Sequence, residues 1–142
     1  MTARVTLHAT TVALGGRAVL ITGPSGAGKS DLALRLIDRG AELVADDYTE
    51  LVQDGTALVA GSPATIAGQM EVRGIGIVDR PYRLVAPVAL VVALGEEGER
   101  MPCPRHVEIA GVAVPELVID PRWPSAPIKV EWALARLREM PS

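Results

Sequence analysis

Apolar residues fall in short runs separated by glycine-rich or charged turns, and only two stretches carry a helical period. "VTLHATTVAL", "GG" and "RAVLIT" (5–22) read as a β-hairpin, because Gly-Gly tolerates the positive φ angles of a two-residue turn. A tight turn there makes Leu14 face Arg17, and counting outward sets His8 opposite Gly23. A slip of one residue would turn His8 to the other face. A helix is predicted from Lys29, with Leu32, Ala33, Leu36 and Ile37 on one apolar stripe, Asp31 in the first turn and Gly40 as the stop.

"ELVA" (42–45) reads as a short buried strand that delivers Asp46 and Asp47 at its C-terminal end. "YTELVQDGTALVAG" (48–61) is a second hairpin around an Asp-Gly turn. A loop or short helix follows, then the extended segment "MEVRGIGIVD" (70–79), the apolar strand "VAPVALVVAL" (85–94) and "VEIAGVAVPELVID" (107–120). A final helix begins near Pro127, with Val130, Leu134 and Leu137 on one face. Strands outnumber helices and hairpins replace the regular strand–helix alternation of a doubly wound fold. The expectation is an α/β chain with one domain on a mixed, strand-rich sheet.

Composition narrows this only a little. A chain of 142 residues suits one domain with a core that needs no metal or disulfide staple. At 49% hydrophobic and 22% charged it is too apolar for disorder. A formal charge of −3 gives no reason to expect a nucleic-acid partner, since a polyanion usually meets a basic face. Cys103 stands alone, so no intrachain disulfide forms, and a reducing compartment is the simple reading. No signal-peptide stretch opens the chain, and its longest apolar run is too short to span a bilayer. A cytoplasmic protein without membrane contact is expected, with no repeat or linker to split it.

Candidate chemistry starts at "GPSGAGKS" (23–30), a full G-x-x-x-x-G-K-[ST] pattern between an apolar strand and an amphipathic helix. Gly23, Pro24, Ser25, Gly26, Ala27 and Gly28 would turn tightly enough for backbone N–H groups to converge on phosphate oxygens. The helix N-terminus adds its positive dipole end. Lys29 would reach the β- and γ-phosphates of ATP, and Ser30 would ligate Mg²⁺. The GTPase Asn-Lys-x-Asp and the transport-ATPase Leu-Ser-Gly-Gly-Gln motifs are absent.

Asp46 and Asp47 follow the loop helix by one short strand, so both could reach the cradle. One carboxylate can hold the metal directly or through water while the other accepts a proton from an attacking hydroxyl. The bland alternative is a pair of aspartates that starts a turn. Glu71 and Arg73 would share a face of an extended segment, placing metal and neutralising transferred charge, or forming a solvated charge pair. His8 is either structural or, by the hairpin count, a neighbour of the cradle.

Together, His8, "GPSGAGKS", "LVADD" (43–47) and "EVRGIGIVD" (71–79) resemble the bacterial HPr kinase/phosphorylase family, in order and at similar spacing, from about Thr6 to Asp79. The resemblance implies a phosphoenolpyruvate-carboxykinase-like catalytic domain over 1–142 without the N-terminal domain of longer members. It also implies a serine of the phosphocarrier protein HPr as acceptor, Mg²⁺ as cofactor, ATP or pyrophosphate as donor, and a homo-oligomer, a hexamer in the family. Carried over by position, Lys29 and Ser30 are the phosphate-loop lysine and metal ligand. The proton-accepting aspartate falls within Asp46–Asp47, with Asp47 favoured, the second metal ligand on Glu71 and the catalytic histidine on His8. A later catalytic arginine falls on Arg100, and the dephosphorylation segment near "PRWPS" (121–125). The chain departs from longer members at Ala41 and Glu42, where they carry His-Arg, and at "RPYRLVAP" (80–87), where they carry a glycine-rich loop. A small-molecule kinase and a nucleotide-sensing module without transfer are the competing readings of the same loop.

Overall fold

A computed structural model describes residues 2–139. Its strands are β1 (Arg4–Leu7), β2 (Ala9–Leu14), β3 (Arg17–Thr22), β4 (Glu42–Ala45), β5 (Thr49–Asp54), β6 (Ala57–Gly61), β7 (Gln69–Val72), β8 (Gly76–Asp79), β9 (Val85–Leu94), β10 (Arg105–Ile109) and β11 (Val112–Ile119). Helix α1 (Lys29–Asp38) follows β3, a 3₁₀ turn (Ala64–Ile66) follows β6, and α2 (Ala126–Glu139) follows β11.

The long apolar run became β9, and its length lets it serve two sheets. Its first residues pair antiparallel with β6, while its later ones run parallel to β3 on one side and β11 on the other. One sheet is therefore β1-β5-β6-β9 and the other β10-β11-β9-β3-β2-β4. Leu90, Val91 and Val92 are all buried, as expected of a strand covered on both faces. The fold is a mixed, strand-rich α/β arrangement, as the hairpin signals implied.

Alternation along β3 divides the core. Val19 and Ile21 join Leu32 and Leu36 of α1 and Val130 and Leu134 of α2 in one apolar cluster. Ala18 and Leu20 join Leu51, Leu58 and Val114 in the other. Leu137 packs partly buried against the first cluster, on the face the sequence pattern gave it.

The hairpin β2–β3 has the anticipated register, Leu14 facing Arg17 and Ala9 facing Thr22. Three expectations need correction. The run 5–14 is not one strand: it bends at His8, and β1 leaves to pair with β5. Alternating exposure in β1 suits an edge with one solvated face, whereas β2 is buried along most of its length and stays in the core. The second hairpin turns at Gly55–Thr56, one residue beyond Asp54-Gly55, since Asp54 pairs with Ala57. Finally, 70–79 is not extended throughout: β7 and β8 pair across a turn at 73–75. Arg73 sits in that turn, so it does not share a strand face with Glu71. Buried Met70 anchors this small hairpin in the cluster beneath α1. No helix among the described residues is long and apolar enough to cross a membrane.

Gly68 closes the base of the β7–β8 hairpin, where its carbonyl accepts the N–H of Arg80 at 2.7 Å. Its φ is +75°, and a Cβ there would lie 2.8 Å from the Tyr82 ring. Gly68→Ala is expected to destabilise the protein by about 2–4 kcal/mol in urea unfolding. An unchanged midpoint would contradict this packing.

Candidate functional site

Strands β3, β9 and β11 run parallel, and β4, antiparallel to β2, points the same way, so all four C-terminal ends open on one edge. Ligand crevices in such sheets lie at that edge. The glycine loop leaves β3 there. Ala27 N–H closes it on the Pro24 carbonyl at 3.0 Å, and Pro24, Ser25 and Gly26 are exposed. Gly28 caps α1 in the left-handed region at φ 104°, with no side chain on the first-turn N–H groups. Those donors remain directed at the crevice, with the positive end of the helix dipole behind them.

Lys29 is buried, 7% exposed, and its ammonium donates to the carbonyls of Gly23 (2.8 Å) and Pro24 (3.1 Å). Among the described residues no carboxylate pairs with it. A cation held by loop carbonyls alone favours an incoming anion.

Asp46 is equally buried, at 5%. Its Oδ1 accepts the hydroxyls of Ser30 (2.7 Å) and Thr10 (3.1 Å), and its Oδ2 accepts the backbone N–H of Glu71 (2.9 Å). A carboxylate takes about four donors, so Oδ2 keeps an open position. The Ser30 hydroxyl spends its proton on Asp46, which leaves its lone pairs for a metal.

Asp47 behaves differently. Its side chain is 58% exposed and its Oδ1 lies 2.6 Å from Nε2 of His8. Its φ is +69°, and the N–H of Tyr48 reaches the Asp46 carbonyl at 2.8 Å, so Asp47 sits at the centre of a positive-φ γ-turn. Such strain persists only where surrounding contacts hold it. Tyr48 packs on the His8 ring with centroids 5.2 Å apart, and the Asp47 N–H donates to Thr10 Oγ1 at 3.3 Å.

A β-bulge sets this arrangement. Thr11 pairs with Ala45 but Val12 with Leu43, so β4 carries an extra residue at Val44. Continuing that register brings Thr10 opposite Asp46 and His8 opposite Tyr48. Without the bulge Asp46 would face Ala9, and both carboxylates would change sides.

The structure therefore brings together Ser30, Asp46, Asp47 and His8, with Lys29 in the adjoining loop. Glu71 joins through its backbone, and its carboxylate is exposed beside the cluster. Arg100 lies exposed in the loop between β9 and β10, and no contact links it to the cluster among the described residues. Sequence reasoning missed Thr10 and Tyr48. Thr10 stands two residues after His8, a spacing that alternation in the sequence could have flagged.

The segment 121–125, where the dephosphorylation segment was expected, borders the loop: a Cβ on Gly28 would lie 3.7 Å from Pro121. Arg35 of α1 donates to the carbonyls of Pro121 (2.9 Å) and Trp123 (3.4 Å). The Arg122 guanidinium grips Asp120 and holds its carboxyl below the ordinary carboxylate range. Burial pushes Glu97 up, but hydrogen bonds from Lys129 and the Asp120 N–H outweigh it and hold Glu97 low.

A family model described as the HPr Serine kinase C-terminal domain matches residues 1–83. The HPr kinase/phosphorylase of Caldicellulosiruptor bescii is 40% identical over 134 residues, covering 84% of this chain and 43% of that protein. That of Clostridium acetobutylicum is 48% identical over 75 residues, 53% of this chain and 25% of that protein. The chain thus spans less than half the length of these curated relatives. A solved structure, the HPr(Ser) kinase/phosphatase from Coxiella burnetii, superposes with a TM-score of 0.79 at 32% identity, covering 95% of this chain and 96% of that one.

Thr10→Val removes a fully buried hydroxyl and strands the Asp47 N–H, so chemical denaturation should show a loss of about 1–3 kcal/mol, while Thr10→Ser stays within about 1 kcal/mol. Equal stability of the valine variant would contradict the hydrogen-bond assignment. Because the Asp120 carboxyl is depressed in the folded state, its contribution is complete above the ordinary carboxylate range and is lost as pH falls through the lowered value. Asp120→Asn should flatten the fall of Tm with pH below about 4; an unaltered acid limb would count against the Arg122 pair.

Proposed function

This chain belongs to the HPr serine kinase C-terminal domain family, and on that premise we propose that it is a Mg²⁺-dependent protein serine kinase that moves the γ-phosphoryl of ATP to a serine of HPr. The observation that carries this reading is the Ser30–Asp46 hydrogen bond, with Asp47 next in the chain and paired to His8. The reading takes 23–30 as a P-loop on a phosphoenolpyruvate-carboxykinase-like scaffold, and the span 1–142 as one catalytic domain.

The residues present fit Mg²⁺. Ser30 Oγ has lone pairs to give, Asp46 Oδ2 has an open position, and the exposed Glu71 carboxylate has no hydrogen-bond partner among the described residues. All are hard oxygen donors, and an ion that keeps several waters does not demand a cage of three or more ionisable side chains, which the described residues do not form. When bound, Mg²⁺ supplies charge neutralisation across the phosphate oxygens.

Lys29 exchanges its loop carbonyls for phosphate oxygens and stabilises the charge they carry. Asp47 takes the proton of the seryl hydroxyl as its oxygen bonds to the γ-phosphorus, and the bond from that phosphorus to the β-bridging oxygen breaks to release ADP. His8 holds the Asp47 carboxylate in place. In the phosphorolytic direction an oxygen of inorganic phosphate bonds to the phosphoserine phosphorus and its proton passes to Asp47. The bond from phosphorus to the seryl oxygen breaks to give pyrophosphate, and Asp47 hands that proton to the departing seryl oxygen. A cytoplasmic location and homo-oligomeric assembly go with this reading, and Arg100 would have to close over the site to act.

With labelled ATP, the protein should transfer label to HPr and none to an HPr variant whose acceptor serine is alanine. Asp47→Ala should lower transfer at least about 100-fold while ATP affinity changes by less than about threefold. Label appearing only on a metabolite would overturn the acceptor, and near-normal transfer by Asp47→Ala would remove Asp47 from the role.

A further inference from the structure

On the side of β3 away from Asp46 and Asp47, strands β9 and β11 end at the same edge as the glycine loop. Glu96 and Glu97 follow β9, Asp120, Arg122 and Trp123 follow β11, and with Lys129 of α2 they line an open cleft of about 540 Å³. Sites for small molecules commonly measure about 300–1,000 Å³. The cleft adjoins the loop at Pro121, which lies close enough to Gly28 that an added Cβ there would stand 3.7 Å from it.

We propose that this cleft takes the nucleoside of the phosphate donor, with its base stacked on the indole of Trp123. The inference rests on the nucleotide reading of the loop and extends it to a second subsite. Polarity is the first argument. The carboxylates follow β4, separated from β3 by β2, and the terminal phosphoryl group must lie on that side. The rest of the nucleotide then leaves toward the ends of β9 and β11.

The second argument is an indole left in solvent on an anchored stretch of backbone. Trp123 is 54% exposed, yet its backbone is fixed by hydrogen bonds to Asp120, Ala126 and Arg35. An aromatic face held open in this way is a stacking platform for any base. Charge supplies the third. Glu97 is paired with Lys129 and Asp120 with Arg122, whereas Glu96 has no hydrogen-bond partner among the described residues. Three carboxylates against two cations repel phosphate and accept hydrogen bonds, which suits an uncharged group bearing O–H and N–H donors. The nucleoside belongs in the cleft and the phosphates in the loop.

The test uses a Trp132→Phe background, since the chain has two tryptophans and Trp132 does not line the cleft. Mg-ADP and Mg-pyrophosphate are titrated separately by calorimetry and tryptophan fluorescence. ADP should shift Trp123 emission and pyrophosphate should bind without doing so. Trp123→Ala should weaken ADP at least about fivefold and pyrophosphate by less than about twofold, while Trp123→Phe keeps ADP within about threefold. Unchanged ADP affinity in Trp123→Ala, or equal weakening of both ligands, overturns the cleft while leaving the loop reading intact. If the parent binds neither ligand, the loop reading fails and the cleft falls with it.

Discussion

Three segments far apart in sequence converge on the Asp46 carboxylate: Thr10 from β2, Ser30 from α1 and the Glu71 backbone from β7. No cation pairs with this buried carboxylate among the described residues, so its charge depends on those three donors. At 5% exposure water cannot readily replace any of these donors, which makes the three segments interdependent. The glycine loop is positioned because Ser30 is tied, and the β7–β8 hairpin because Glu71 is tied. Lys29 repeats the principle with opposite sign, a buried ammonium satisfied by carbonyls alone. Two buried charges are thus supported by neutral groups, and neither is spent on the other.

That node also separates two adjacent aspartates into unlike environments. The bulge at Val44 sends Asp46 inward to Thr10, and the γ-turn that follows throws Asp47 outward to His8. Strain at Asp47 is borne by contacts on both sides: Thr10 accepts its N–H, and His8, packed against the Tyr48 ring, holds its carboxylate. A reactant arriving at the loop would therefore meet a fixed carboxylate near Ser30 and an accessible one beside it. The division of labour proposed above, one aspartate holding position and the other exchanging a proton, would then come from backbone geometry.

Much of this was legible because periodicity reports burial. The β2–β3 register followed from Gly15-Gly16, α1 from its apolar stripe, and the mixed sheet from hairpins where helices would otherwise alternate. The bend at His8 was hidden because "VTLHATTVAL" reads as continuous strand, and only the pairing partner of β1 reveals the change of sheet. Likewise the turn at 73–75 lies inside apolar sequence whose glycines fit either a strand or a turn. The Val44 bulge leaves no mark in "ELVADD" at all, because it is a property of two strands together. Spacing from His8 points to Thr10, but its partner Asp46 is set by what β4 presents to it.

The central claim is spatial: an anion lodged on the loop meets Lys29, Ser30 and the paired aspartates together. A crystal structure with Mg²⁺ and a non-hydrolysable ATP analogue measures it directly. The account predicts Lys29 Nζ on terminal phosphate oxygens, the metal on Ser30 Oγ, and the Asp47 carboxylate facing the terminal phosphorus. A nucleotide bound elsewhere, with Lys29 still on the carbonyls of Gly23 and Pro24, would contradict it.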